Sequence, residues 1–105
     1  MTERYFRANE WWVCPYNDAP EVAAARALPA KVEIHDATLR DGEQTPGLVM
    51  DVNDKIAIAE KLAEVGVERI EAGMPAVSEM DFEPIRQISK LGLKAKIYSF
   101  ARAMN

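Results

Sequence analysis

From residue 31 onward the apolar positions change period several times, and each change predicts an element. KVEI (31–34) is a short apolar alternation that reads as a strand, extending over 31–36. DVNDKIAIAEKLAEVG follows a charged loop. There Asp51 is an N-cap with Asp54 three residues on, in the manner of a capping box. Ile56, Ala59, Leu62, Ala63 and Val65 form an apolar helical stripe, which predicts a helix over 52–65 that ends at a left-handed Gly66. VERIEAG predicts a second strand over 67–72. Ser78 or Asp81 can open the next helix. Pro84 fits best in a first turn, which favours Asp81 as the cap and a helix over 81–91 with Ile85, Ile88 and Leu91 buried. Gly92 ends it, and LKAKIYSF supplies a third strand over 94–99.

Residues 1–30 have a different character. Pro15, Pro20 and Pro29 break the segment, and EVAAARAL between the last two predicts a short helix. The stretch is expected to be an N-terminal extension that packs through Trp11, Trp12 and Tyr16, ahead of a domain over 31–105. No repeat or low-complexity tract is present.

The order strand, helix, strand, helix, strand implies parallel strands joined by right-handed crossovers, an α/β class. A barrel and a doubly wound sheet both satisfy it. DGEQTPG after the first strand is not the G-x-G-x-x-G of a dinucleotide site, which weakens the nucleotide-binding reading.

In either fold, function sits at the carboxyl ends of the strands. The first strand runs into HDATLRDGEQTPG, five of whose residues are charged or titratable: His35, Asp36, Arg40, Asp41 and Glu43. The second ends at Glu71 and the third near Ser99 and Arg102. Adjacent strands would bring Arg40, Asp41 and Glu71 to one rim. Carboxylates there can hold a divalent ion, and an arginine can hold an anionic substrate bidentately. A solvated charged loop is the plainer alternative.

Composition narrows the function classes. The 105 residues include 13 Lys+Arg against 17 Asp+Glu, a net charge of −4 with the basic residues scattered. This gives no basis for binding nucleic acid or an anionic membrane. Apolar residues make up 49%, which marks a globular chain rather than a disordered one. Cys14 stands alone, so no disulfide forms within the chain, and the N-terminus lacks the apolar run of a signal peptide. A cytoplasmic location is the expectation.

TLRDGEQTPG resembles the opening signature of the isopropylmalate and homocitrate synthase family. Leu39, Arg40, Asp41, Gly42 and Gln44 match Leu-Arg-Asp/Glu-Gly-x-Gln, and the ten residues 45–54 then lead to Lys55. VERIEAGMP and YSFARA resemble the segments ending that family's second and third strands. The resemblance covers roughly residues 31–105. It implies the N-terminal portion of a (β/α)8 TIM barrel, about three strands and two helices, from a group of metal-dependent synthases and lyases named for an Asp, an Arg and a Glu.

The resemblance implies that Asp41 binds a divalent metal ion (zinc, manganese or magnesium). It makes Arg40 catalytic and substrate-binding, stabilising an enolate or alkoxide oxygen. Glu71 would orient Arg40 or a metal-bound water, Gln44 would line the substrate pocket, and Lys55 would be structural. The implied reaction is a Claisen condensation of acetyl-CoA with a 2-oxo acid, as in 2-isopropylmalate synthesis and hence leucine biosynthesis, by a full-length homodimer. A hydroxymethylglutaryl-CoA lyase-like activity is the alternative, but its signature reads Arg-Asp-Gly-Leu-Gln where this chain has Glu43. Biotin-dependent carboxyltransferases replace the glycine region differently.

Two departures point to a third reading. The family completes its metal site with a late His-x-His pair. The one histidine here, His35, is out of place for it and is expected to pack or hydrogen-bond near the first strand. A closed barrel needs eight strands and about 250 residues. A truncated gene or gene fragment, inactive by itself, is therefore expected, with a non-enzymatic remnant or interaction module as the remaining possibility.

Overall fold

The computed structural model describes residues 4–103. The chain divides into two compact units, Met1–Lys31 and Val32–Asn105.

In the first unit, β1 (Phe6–Arg7) pairs antiparallel with β2 (Trp11–Trp12), Phe6 opposite Trp12. Asn9 turns the hairpin at a positive φ of 62°, a conformation asparagine tolerates. A 3-10 turn (Pro15–Asp18) leads into α1 (Pro20–Ala25), shorter than the eight residues EVAAARAL suggests because Arg26 already has an extended backbone. Asp18 gathers Arg4 at 3.0 Å and Arg26 at 3.7 Å. None of the described residues of this unit is buried, so salt links and turns hold it rather than a core.

The second unit has three strands, β3 (His35–Asp36), β4 (Arg69–Glu71) and β5 (Lys96–Tyr98), all parallel and in sequential order β3-β4-β5. His35 registers with Arg69, and Arg69 with Lys96. Helices α2 (Val52–Glu64) and α3 (Glu79–Lys90) cross over between them. No helix among the described residues is long and apolar enough to cross a membrane.

The strands are shorter than the sequence suggests. KVEI is not a strand: only His35 and Asp36 are ladder residues, although the Ile34 carbonyl accepts from the Arg69 N–H at 3.1 Å. The Ile34 N–H donates instead to the Glu68 carboxylate at 2.8 Å, a side-chain bond in place of a ladder bond. Val32 and Ile34 are exposed.

Helix α2 opens as its sequence dictates. Asp51 accepts from the Asp54 N–H, and Asp54 accepts in return from the Asp51 N–H, completing a capping box. Gly66 follows at φ 96°. Helix α3 departs from expectation: Ser78, not Asp81, is the N-cap, its hydroxyl accepting from the Asp81 N–H at 3.3 Å and donating to the Asp81 carboxylate at 2.6 Å. Pro84 therefore lies inside the helix, one turn past the position that best tolerates it. Its ring is fully buried, and that packing offsets the missing N–H.

Leu39, Ala59, Ile70, Ala72, Ile88 and Ala95 form the core, with Ile56, Leu62, Ile85 and Ile97 packed around them. Val65 and Leu91, expected in the apolar stripes, are exposed. Each is the C-cap of its helix, where the helical period ends.

The opposite face of the sheet is polar. Arg69 grips Glu33 with Nε and Nη2 at 2.8 and 2.7 Å, and the His35 and Tyr98 rings lie 5.5 Å apart. Parallel strands ordinarily need cover on both faces. Here one face has helices and the other carries charge.

Candidate active site at the strand ends

The loop after β3 is wound tightly by local bonds. The Asp36 carboxylate accepts from the Thr38 N–H at 2.9 Å and from its hydroxyl at 3.1 Å, an Asx-type turn. The N–H groups of Arg40, Asp41 and Gly42 then converge on the Ala37 carbonyl at 3.1, 2.8 and 3.2 Å. Leu39 points into the core with no exposure and anchors the turn from below, leaving Arg40 and Asp41 at the rim. A 3-10 turn, Gly42–Gln44, completes the segment. A Cβ at Gly42 would meet only Thr38 Cγ2 at an ordinary 3.6 Å, so nothing in this geometry demands glycine there. Gly73 is different: its φ is 143°, and a Cβ would stand 3.3 Å from Ile85 Cδ1.

Parallel pairing brings residues 31 positions apart together. Arg40 Nε donates to Glu71 Oε1 at 2.7 Å, and Nη1 to Asp41 Oδ1 at 3.3 Å. The guanidinium stacks on the Phe100 ring, 5.0 Å from its centroid. His35 Nε2 lies 3.3 Å from the other Glu71 oxygen. Arg40, Asp41 and Glu71 thus share one rim, as expected, and His35 bonds across to the second strand. Gln44 lines a cleft of about 190 Å³ together with Leu39, Arg40, Gly73 and Met74. A larger hollow of about 620 Å³ opens at the first turns of α2 and α3 and shares no residue with this cleft.

Phe100, rather than Ser99 or Arg102, meets the arginine at the end of β5. Lys55 forms a buried ion pair with Glu43 at 2.7 Å. Sequence reasoning misses both, because each depends on contacts between distant segments. The motif marks Lys55 as structural without naming its partner, and opposite charge at positions 43 and 55 is by itself a weak signal for the pair.

Burial pushes the Glu71 carboxyl up, but hydrogen bonds from Arg40 and His35, with the charges of those two groups, outweigh it and hold the carboxyl below its ordinary range. A depressed folded-state value means that the ionised carboxylate stabilises the fold above the ordinary glutamate value of about 4.3, a contribution lost as pH falls through the lower folded value. Glu71→Gln is accordingly expected to cost about 1–3 kcal/mol at pH 7, a gap from wild type that narrows steadily below pH ~4. Urea titrations of both proteins between pH 7 and 3 measure it. A gap independent of pH would contradict the assignment.

A divalent ion requires several donors converging on one point. No group of three or more His, Cys, Asp or Glu is so arranged among the described residues. The Asp41 side chain is 70% exposed and leans on Arg40. The residues present do not by themselves fit such an ion. Calorimetry with zinc, manganese or magnesium is expected to find binding no tighter than about 1 mM, the weak end of protein sites. Tighter binding would mean other donors.

The sequence is similar to known proteins well beyond this motif. A family model described as HMGL-like matches residues 31–105, the whole of the segment that builds the sheet and cleft. The chain belongs to the HMGL-like family. HMGL-like domains are TIM barrels, and β3, β4 and β5 with α2 and α3 are the N-terminal portion of one. The sequential strand order, which a doubly wound half would also show, is thereby assigned to the barrel.

Among HMGL-like relatives, a probable 2-isopropylmalate synthase of Ignicoccus hospitalis is 51% identical over 76 residues, 72% of this chain and 19% of that protein. A putative (R)-citramalate synthase of Archaeoglobus fulgidus is 56% identical over 72 residues, 69% of this chain and 15% of that protein. A homocitrate synthase of Methanothermobacter thermautotrophicus is 40% identical over 92 residues, 88% of this chain and 22% of that protein. The chain thus spans about a fifth of the length of the relatives it matches.

Proposed function

We propose that this chain is the N-terminal part of an acyltransferase-type synthase that joins acetyl-CoA to a 2-oxo acid. The observation that carries the reading is the Arg40 guanidinium, fixed between Glu71 and Asp41 and backed by Phe100, at the mouth of a cleft. In such a condensation a base takes a proton from the acetyl methyl, the resulting enolate attacks a ketone carbon, and water then hydrolyses the thioester to release the free thiol of CoA. Negative charge moves from the thioester oxygen to the new alkoxide. A guanidinium already oriented by two carboxylates meets that charge with little reorganisation. Glu71 orients it, and also keeps its charge from standing unpaired in a part-buried setting. Gln44, in the lining of the same cleft, offers an amide to a substrate carboxylate or carbonyl. In a whole protein Asp41 is the donor this segment would offer to a divalent ion.

Glu43 favours the synthase over the lyase. It pairs with Lys55, and a leucine at that position, as in the lyase-type signature, would leave a buried ammonium without its nearest partner. The whole protein is further proposed to be a cytoplasmic homodimer of amino-acid biosynthesis, serving leucine formation if its 2-oxo acid is branched.

The test is a chimera of residues 31–105 with the remainder of the Ignicoccus relative, assayed for free thiol release from acetyl-CoA against 2-oxo acids of graded side-chain length. Condensation is the expected result. Cleavage of a hydroxymethylglutaryl-CoA-type substrate instead would transfer the chain to the lyases.

A further inference from the structure

Lys55 is a buried charge with no part in the chemistry above. Its side chain is 5% exposed, although lysines are almost always kept at the surface. It stands in the first turn of α2, where the helix dipole presents its positive end and disfavours a cation. Neither desolvation nor the dipole explains an ammonium at this position, so its partners must. Nζ lies 2.7 Å from Glu43 Oε1 and 4.0 Å from Asp81 Oδ1. Asp81 is itself fixed by Ser78 at the cap of α3.

Glu43 is the middle residue of the Gly42–Gln44 turn, which contains no buried residue of its own. Two consecutive backbone bonds define that turn, Gln44 N–H to the Asp41 carbonyl and Thr45 N–H to the Gly42 carbonyl, at 3.1 and 3.2 Å. Short 3-10 segments with so little packing open readily unless a side chain holds them. The Lys55–Glu43 pair ties this one to two helices. We propose that Lys55 is a positioning residue that, acting through Glu43, fixes the Gly42–Gln44 turn and thereby the Gln44 side of the Arg40 cleft. The spacing of ten residues between the motif and its lysine then has a mechanical meaning: it is the chain needed to leave the turn, enter α2 and reach back. The functional weight of this clasp rests on the synthase reading, while the clasp itself does not.

Amide hydrogen exchange on the 105-residue chain, read by NMR, tests it. Lys55→Met keeps the aliphatic stem and removes the ammonium. Exchange at Gln44 and Thr45 is expected to speed up by about tenfold or more, as for loss of a charge-assisted contact, while Ala59 in the same helix changes less than about twofold. Glu43→Ala leaves the core untouched and is expected to give the same pattern, which covers the case in which Lys55→Met unfolds the chain. Lys55→Arg is expected to retain protection of the turn. Unchanged turn amides in Glu43→Ala, uniform acceleration throughout α2, or failure of arginine to rescue would each overturn the proposal. An inactive chimera with an intact clasp would instead count against the synthase reading alone.

Discussion

Arg40→Lys in the chimera is expected to lower kcat by about 10²–10³, the scale of losing one preorganised donor at a developing oxyanion, with KM changed only a few-fold. The substitution keeps the charge and removes the shape. Arg40 addresses Glu71 through Nε and Asp41 through Nη1 while its flat face rests on Phe100. An ammonium is a single point of charge without a planar fork or a stacking face, so it cannot hold both carboxylates from one fixed position. The groups that orient the cation are lost even though the cation remains. A loss confined to kcat would show that the guanidinium works mainly on charge that appears in the transition state. Near-normal kcat would make Arg40 a structural residue and remove the central support of the synthase reading. Steady-state kinetics on both proteins, with circular dichroism to compare their folds, measures the difference.

Ile70→Ala is expected to remove about 2–5 kcal/mol, the cost of truncating a fully buried aliphatic side chain. Ile70 sits on β4, the middle strand, with no exposure, and packs in the same cluster as Ala59 of α2 and Ile88 of α3. Among the described residues that cluster has six buried apolar members, so little else can compensate. Small domains are stable by roughly 5–15 kcal/mol, and one such cavity consumes a large share of that. Urea unfolding should show a much lower midpoint, or no folded baseline at all. Val49→Ala, at a side chain that is 90% exposed, is the control and should stay within about 0.5 kcal/mol of wild type. A shift below about 1 kcal/mol for Ile70→Ala would mean that the core is not packed as described.

Local signals were legible in the sequence. The capping box at Asp51 and Asp54 and the left-handed glycines after α2 and α3 depend on neighbours a few residues apart. The gathering of Arg40, Asp41 and Glu71 was legible too, because parallel strands joined by crossovers must align their carboxyl ends. The misreadings have a common physical origin. Pro84 is costly inside a free helix and so points to Asp81 as the cap, yet burial of its ring in the folded protein offsets that cost and Ser78 is the cap. KVEI has a strand's composition but little ladder, because a strand is completed by its neighbours and not by its own residues. The Phe100 platform and the Lys55–Glu43 pair join segments far apart in the chain, so no local period could announce them.

The sequential order β3-β4-β5 leaves β3 and β5 each paired on one side only among the described residues. The free flank of β5 and the free flank of β3 are different surfaces of the same parallel sheet. Copies joining through them would therefore associate head to tail, without a two-fold axis. Each copy adds three strands, so two copies give six and three give nine. No whole number of copies reaches the eight of a TIM barrel. Copies of this segment joined by that route give a closed ring or an open filament, according to the rotation between neighbours, and not an eight-stranded barrel.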